Sequence, residues 1–356
     1  MRIVFFPIDC CPFHGKTLEE RPIGGTETAI IHLSEALDAL GYEVFVVTPL
    51  KTFPPNKPIY LTHSMVNHLP DIDLLIIIRG LEGVLFPLKC KKRFFWTGDA
   101  WTNRHTFGIG DNRYAHRIDT LLSVSDWQAR TLCESSGFPF EKTHILRNGV
   151  KLSLFEGEEV RRRKRLIYTS TPTRGLIYLP EIYLELKKKH PDLELHLFSS
   201  PFIYSRKWPP EKDFNAESEK WIEWMRKLPN CYPHGSVIQK QLAREFMKSA
   251  ILVYPTDFEE TSCISAMEAQ AAGCAIVTTD LAALKETVGE SGILIEGNPK
   301  SKNYLSKFIE TCDSLLSDDP LFNGFSAIAK KRAETFDWKL RAQQLLEYVQ
   351  HKHGMS

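Results

Sequence analysis

The run Tyr254-Pro-Thr-Asp-Phe-Glu-Glu-Thr-Ser-Cys-Ile-Ser-Ala-Met-Glu-Ala-Gln-Ala-Ala-Gly-Cys-Ala-Ile-Val-Thr-Thr279 reads as the end of a strand, a loop, a short helix and a second strand. Residues 251–254 are apolar over a strand's length, and Pro255, Thr256 and Asp257 punctuate their end. Residues 265–272 are rich in helix formers, Gly273 stands where a left-handed C-cap is needed, and 275–279 form a second short apolar run. A strand opening into a loop and then a helix N-terminus is where open α/β sheets bind ligands, because first-turn amides lack intrahelical acceptors and the helix dipole favours an anion. Glu260 lies near the start of this loop and Glu268 in the first turn of the helix, so a ligand along the stretch meets a carboxylate at each end. Two plainer readings stand beside this one. Ser265-Ala-Met-Glu268 fits a capping box, and Glu259-Glu260 fits an exposed acidic pair.

The chain of 356 residues is long enough for two domains, since single cores stop growing at roughly 250–300 residues. An apolar content of 43%, 25% charged residues and a net charge of +1 give no reason to expect nucleic acid or strongly anionic lipid as a partner. No apolar run approaches the roughly 20 residues of a membrane span. Residues 1–6 are too short for a signal peptide, with Pro7 and Asp9 behind them, so a cytoplasmic protein is expected. The eight cysteines are scattered with no C-x-x-C, which excludes a zinc ribbon and predicts free thiols, Cys10 and Cys11 included.

Residues 2–6 predict a buried strand, followed by a long loop that ends in Gly24-Gly25-Thr26-Glu27-Thr28. Apolar residues at helical spacing follow to Gly41, then a strand over 43–48, so the first half opens as a βαβ unit in a parallel sheet. Gly24-Gly25 either turns the chain tightly into the helix or lets backbone approach a ligand closely. Alternating strands and helices continue to residue 150, with Asp126 expected as an N-cap. Asp71-Ile-Asp73 spells a metal-binding D-x-D but reads as a turn, and Gly108-Ile-Gly110 lacks the context of a dinucleotide fingerprint. The basic run 161–165, preceded by Glu156, Glu158 and Glu159, predicts a solvated linker rather than a lipid contact. Residues 165–200 then repeat the strand, loop, helix and strand order, which makes a second Rossmann-like half, followed by a linker-like segment over 201–214.

The segment from Glu259 to Val277 resembles the E-x7-E signature of retaining GT-B glycosyltransferases, glycosyltransferase family four (glycosyltransferase group 1), with Glu260 and Glu268 as the two acids, and weaker resemblances extend over nearly the whole chain. The resemblance implies an α/β, GT-B architecture of two Rossmann-like parallel-sheet domains facing across a cleft. Residues 1–152 would be the acceptor side, 153–336 the nucleotide-sugar side, and 337–356 a helix crossing back. By the same resemblance Glu260 meets hydroxyls of the donor sugar, Glu268 the ribose, and Thr261, Ser262, Cys263 and Ile264 the sugar and diphosphate. Thr261, Ser262 and Cys263 replace the family's usual glycines, which stiffens the loop. Residues 168–176 resemble its phosphate loop, with Arg174 and Gly175 at the diphosphate, Ser170 beside them, and Thr169 where the commoner form has an arginine. His234-Gly235-Ser236-Val237 resembles an H-G-x-V element at the nucleobase, and Gly24, Gly25 and Thr26 a GG-x-E element facing the diphosphate. Asp99 matches a His-Asp element whose histidine slot holds Gly98, with His105 a candidate substitute for donor or acceptor contact.

The activity implied is retaining transfer of a sugar from a nucleoside diphosphate to an acceptor hydroxyl on a glycan, lipid or small molecule, with Glu260 and Arg174 as catalytic residues. It would need no metal and no cofactor beyond the nucleoside-diphosphate sugar, and peripheral membrane contact would serve a lipid acceptor. Departure of the diphosphate would be stabilised by Arg174 and by the amides at Gly25, Ser262 and Cys263. The alternatives are a non-catalytic nucleotide-sugar-binding protein, fed by Gly98 and Thr169, and a GT-B-like epimerase.

Overall fold

The computed structural model describes residues 1–55, 57–69, 71–203 and 216–355, so the expected linker over 201–214 falls outside the described residues from 204 onward. The chain divides into two compact units. The first comprises Met1–Leu18, Ile23–Gly149 and Trp338–Ser356, and the second Glu19–Pro22 and Val150–Asp337.

The first unit is built on seven parallel strands: β1 (Arg2–Ile8), β2 (Glu43–Thr48), β3 (Ile59–Thr62), β4 (Ile72–Arg79), β5 (Cys90–Thr97), β6 (Thr120–Ser123) and β7 (Thr143–Ile145). Their spatial order is β3-β2-β1-β4-β5-β6-β7. The unbroken apolar run of β4 follows from its central place, because a parallel strand is covered on both faces. Leu74, Ile76 and Ile78 enter one core with Ile30 and Leu33 of the helix Gly25–Ala39, while Leu75 and Ile77 enter the opposite core. The C-terminal helix Trp338–His353 joins the first of these cores through Trp338, Ala342, Leu345 and Val349.

The second unit carries β8 (Arg165–Tyr168), β9 (Glu194–Leu197), β10 (Cys231–Pro233), β11 (Ile251–Tyr254), β12 (Ala275–Thr279) and β13 (Ile293–Ile295), all parallel, in the order β10-β9-β8-β11-β12-β13. The helix expected after the phosphate-type loop begins as a 3₁₀ turn, Leu176–Tyr178, and becomes α-helical at Leu179–Lys189. Pro180 stands in the first turn of the α segment, where its missing N–H costs nothing.

Three local expectations are corrected, and one of the two plainer readings of the Glu260 stretch is excluded. The N-cap of the helix Asp126–Ser136 is Ser125, whose hydroxyl accepts from the Gln128 amide, while Asp126 pairs with Arg147 at 2.5 Å. Asp73 is not in a turn but in β4, where its carboxylate accepts from the Arg2 amide (2.6 Å) and pairs with Lys91 (2.6 Å). The capping box at Ser265 does not form, as described below. The basic run is a clamp rather than a solvated linker. Arg161 donates to the carbonyls of Ser249 and Gly273 (2.8 Å each) and of Ala272, at the C-terminal ends of two helices where cations are favoured. Arg163 lies 3.8 Å over the Phe322 ring, Arg165 is buried against Glu245, and of the five only Arg162 is exposed.

Candidate active site

In the second sheet β8 has β9 on one side and β11 on the other, so the strand order reverses between β8 and β11. Ligands of open α/β sheets bind outside the carboxyl ends of strands at such a point. Two loops leave the sheet there, residues 169–175 after β8 and 255–263 after β11. Gly175 brings them together. Its φ is +106°, and a Cβ on it would stand 1.9 Å from the Pro255 carbonyl oxygen, so neither its conformation nor its surroundings admit a side chain.

That approach carries Arg174 to Glu260. Nη1 donates to Oε1 at 2.9 Å and to Oε2 at 3.2 Å, and the guanidinium lies 4.2 Å over the half-exposed Phe258 ring. From the end of β11 the Tyr254 hydroxyl donates to the same Oε1 at 2.5 Å. Burial and the adjacent carboxylate push the phenol well above its usual range, so Tyr254 remains a donor. Ser170 Oγ is 3.4 Å from the Tyr254 hydroxyl. Glu260 is therefore a buried carboxylate matched by one cation and one neutral donor, which is the condition for keeping a charge inside a protein.

The helix Ile264–Ala272 is capped at its N-terminus by Cys263, which makes no side-chain cap bond. Ser265 instead donates its hydroxyl to the Thr169 carbonyl at 2.8 Å, tying the helix to the end of β8. Glu268 is buried, and its Oε1 accepts from Gln239 Nε2 at 3.2 Å. Desolvation pushes its carboxyl up to about 7, offset in part by that hydrogen bond. Ile264 and Thr261 are half-buried, while the Cys263 thiol is buried and its pKa driven upward by desolvation, so it is an inert part of the wall. At the other end of the helix Gly273 adopts the expected left-handed C-cap, φ +73°.

Three hydroxyls at these strand ends are buried without a hydrogen-bond partner among the described residues: Thr169 Oγ1, Ser262 Oγ and Ser199 Oγ. A buried unsatisfied hydroxyl costs about 1–3 kcal/mol, so each of the three would gain from a polar group that completes it. Ser199 was missed by sequence reasoning, although two serines closing an apolar strand, Ser199-Ser200, are a usable signal. Tyr254 and Gln239 were missed as well; one reads as core and the other as surface helix.

Ser236 and Val237 follow β10, with Val237 packed on the core of the unit. His234 lies flat against Phe198 (4.6 Å, 9°), and its Nε2 is 2.9 Å from His196 Nδ1, whose ring in turn reaches Glu194 at 3.2 Å. In the first unit Gly24 is the N-cap of the helix Gly25–Ala39, extended at φ −69°, so it is not there to provide a left-handed turn. Gly25 is exposed, Thr26 half-buried, and the buried Glu27 accepts from the Cys11 amide at 2.7 Å, which pins the long loop. Asp99 lies 3.4 Å from Arg79 Nε, and His105 lies 3.4 Å from Asp9. The two are on one loop but bond to different partners. All eight cysteines are free.

Two α/β units on parallel sheets of seven and six strands make the GT-B fold, and the comparisons agree. Over 98% of this chain and 99% of that one, the structure of Anabaena Alr3699/HepE in complex with UDP-glucose superposes with a TM-score of 0.73 at 15% identity. Sucrose-phosphate synthase from Thermosynechococcus elongatus superposes over 100% of both chains with a TM-score of 0.71 at 14% identity. Residues 164–318, which lie within the second unit, match the family described as glycosyl transferases group 1. A D-inositol 3-phosphate glycosyltransferase of Paenarthrobacter aurescens is 24% identical over 253 residues, covering 67% of this chain and 59% of that protein. An MMP alpha-(1->4)-mannosyltransferase of Mycolicibacterium hassiacum is 28% identical over 183 residues, 51% of this chain and 41% of that protein. The chain thus spans less than two thirds of the length of these relatives.

Proposed function

We propose that the chain is a retaining glycosyltransferase that moves a sugar from a nucleoside diphosphate to an acceptor hydroxyl without a metal. The observation that carries this reading is the switch point of the second unit, where the loops after β8 and β11 carry the Arg174–Glu260 pair and the unpartnered hydroxyls of Thr169 and Ser262, and the helix that follows carries the buried Glu268. In this reading Arg174 and the first-turn amides take the diphosphate, and Glu268 takes the ribose hydroxyls. Glu260 accepts from the donor sugar. Arg174 and Tyr254 already occupy both its oxygens, and a carboxylate so engaged is a poor nucleophile, which favours substitution on one face over a covalent intermediate. The bond from the anomeric carbon to the diphosphate oxygen breaks, the acceptor oxygen bonds to that carbon on the same face, and the acceptor proton passes to the departing diphosphate. Arg174 stabilises the charge that develops on the leaving group.

Metal independence is supported by the guanidinium of Arg174, which supplies a positive charge for the leaving diphosphate. The HepE structure, which holds UDP-glucose, favours a sugar nucleotide donor. The acceptors of the relatives are not carried over. Free thiols favour the cytoplasm as the place of action, and no helix among the described residues is long and apolar enough to cross a membrane. The test is turnover of a panel of UDP-, GDP- and ADP-sugars in EDTA, with the anomeric configuration of the product read by NMR. A retained configuration and full activity in EDTA are expected; inversion, or rescue by manganese after chelation, would overturn the respective part.

A further inference from the structure

The two buried acids of the second unit have unlike surroundings. Glu260 is matched by the Arg174 guanidinium and the Tyr254 hydroxyl, whereas Glu268 has an uncharged partner, the Gln239 side-chain amide, 3.2 Å from its Oε1. Its Oε2 accepts from none of the described residues. Gln239 is half-buried and opens the helix Gln239–Lys248, two residues after Val237. Its amide therefore joins the segment expected at the nucleobase to the acid expected at the ribose.

The helix that carries Glu268 is held in place by Ser265 on the Thr169 carbonyl (2.8 Å), by Gln270 Nε2 on the Thr287 carbonyl (3.2 Å) and by the Ser291 hydroxyl on Gln270 Oε1 (2.7 Å). The charged groups on the elements packed against it are engaged elsewhere. On the helix Gln239–Lys248, Lys240 is exposed, Arg244 turns to Glu159 (3.8 Å), and Glu245 pairs with Lys248 (3.0 Å) and Arg165. On the helix Leu284–Val288, Lys285 pairs with Asp280 at 3.2 Å. On the helix Asp319–Ala333, Arg332 donates to the Glu286 carbonyl at 2.6 Å, and Lys330 and Lys331 are exposed. The other titratable neighbour is the Cys263 thiol, which burial keeps protonated. Among the described residues, Glu268 thus has a neutral donor and no cation.

We propose that Gln239 is a positioning residue for nucleotide binding: its amide orients the Glu268 carboxyl for the ribose, and because this partner is uncharged, Glu268 gives up a proton as the nucleotide binds. The inference rests on the glycosyltransferase reading, which puts the ribose at Glu268. In the free protein, burial favours the neutral acid and holds its titration at about 7. A ribose offers two hydroxyl donors, and a carboxylate accepts from both, whereas a neutral acid keeps one oxygen as a donor. The O–H bond of the acid therefore breaks on binding, its proton passes to water, and the carboxylate oxygens accept from the ribose. Affinity is complete above pH 7 and weakens as pH falls, by about tenfold from pH 8 to pH 6. The Gln239 amide donates to the ionised form and so lowers the titration of Glu268. Removing the amide moves the loss of affinity to higher pH, and a cation in its place moves it lower.

The test is calorimetric titration with UDP-glucose, GDP-mannose and ADP-glucose at pH 6, 7 and 8, each in two buffers of different ionisation enthalpy, on the wild type, Gln239→Met, Gln239→Lys and Glu268→Gln. Sugar nucleotides are the probes because the terminal phosphate of a free nucleoside diphosphate titrates near about pH 6 and would imitate the effect. His234, beside the same segment, is held below its usual pKa by burial, so it titrates below Glu268. The wild type is expected to bind about tenfold more weakly at pH 6 than at pH 8, releasing about one proton per ligand at pH 6. Gln239→Met should widen that ratio to more than about twentyfold, Gln239→Lys should narrow it to less than about threefold, and Glu268→Gln should abolish it. A Gln239 that only supports the fold would change affinity equally at every pH. Affinity independent of pH in the wild type, a profile unmoved in Gln239 variants that melt as the wild type does, or a profile retained in Glu268→Gln overturns the inference. Binding with a flat profile removes this inference alone, whereas binding of none of the three sugar nucleotides at any pH removes the glycosyltransferase reading and this inference with it.

Discussion

Burial of Glu268 raises its carboxyl from 4.5 to about 7, so between those values the folded chain holds a proton that the unfolded chain has released. Stability contributed by the neutral acid is fully present below pH 4.5 and is lost as pH rises to 7. Glu268→Gln removes the titration and keeps a polar group for Gln239. The variant is expected to melt higher than the parent above pH 7, by up to about 2–3 kcal/mol, with a flatter pH profile of Tm. At pH 8, where the Glu268 carboxyl is ionised, its affinity for UDP or GDP should fall by about 1.5–3 kcal/mol, because a charged acceptor for ribose is lost. Unchanged affinity by calorimetry would remove Glu268 from the nucleotide site. Arg174→Ala differs in kind. It leaves Glu260 buried with only Tyr254, so we expect a loss of about 2 kcal/mol in stability, and binding of the nucleoside diphosphate should suffer at least tenfold more than binding of the bare nucleoside. Equal losses for both ligands would place Arg174 outside the phosphate site.

At the scale of elements, the strand, loop and helix around Glu260 were legible because each follows from local signals. The apolar run of β11 precedes Pro255, and Gly273 ends the helix in a left-handed residue that glycine tolerates best. The bonds made by Ser265 in the helix's first turn and by Glu268 one turn further on were not legible. Ser265 and Glu268 have capping-box spacing, yet Ser265 spends its hydroxyl on Thr169, 96 residues away, and Glu268 meets Gln239 from another helix. The basic run was misread for the same reason, since the carbonyls that Arg161 holds lie 88 to 112 residues further on. Gly175 shows how sharply a loop contact constrains an element. In Gly175→Ala the left-handed φ and the 1.9 Å approach to Pro255 act together, so a loss of at least about 2 kcal/mol is expected, with displacement of the Arg174 loop. Gly98→Ala, where a Cβ meets nothing within 4 Å, should leave Tm within about a degree. A similar cost for both in thermal melts would show that the Gly175 approach relaxes easily.

For the whole molecule, two parallel sheets follow from the repeated alternation of short apolar runs with helical periodicity, and that alternation is carried by the sequence at every turn. Strand order is not, because it depends on pairings such as β1 with β4 and β8 with β11, each separated by long stretches of chain. The C-terminal helix is a case in point: its apolar residues are plain in sequence, but their seat against Ile3, Phe5 and Leu33 is set by packing. Each unit thus has its own buried residues, one set around β8 and β11 and two around β1 and β4, and the proposed nucleotide site lies in the second unit. A ligand stabilises the cooperative unit that binds it. At 100 times its dissociation constant the gain is about 2.7 kcal/mol, which for a unit of this size raises Tm by about 5–10 °C. Calorimetric scans are therefore expected to show two transitions, of which saturating UDP or GDP raises only one. The transition belonging to the second unit is identified independently, because Gly175→Ala should lower that one and leave the other in place. A single transition that moves as a whole, or a nucleotide shift in the transition that Gly175→Ala leaves untouched, would show that the two units do not unfold separately or that the nucleotide binds elsewhere.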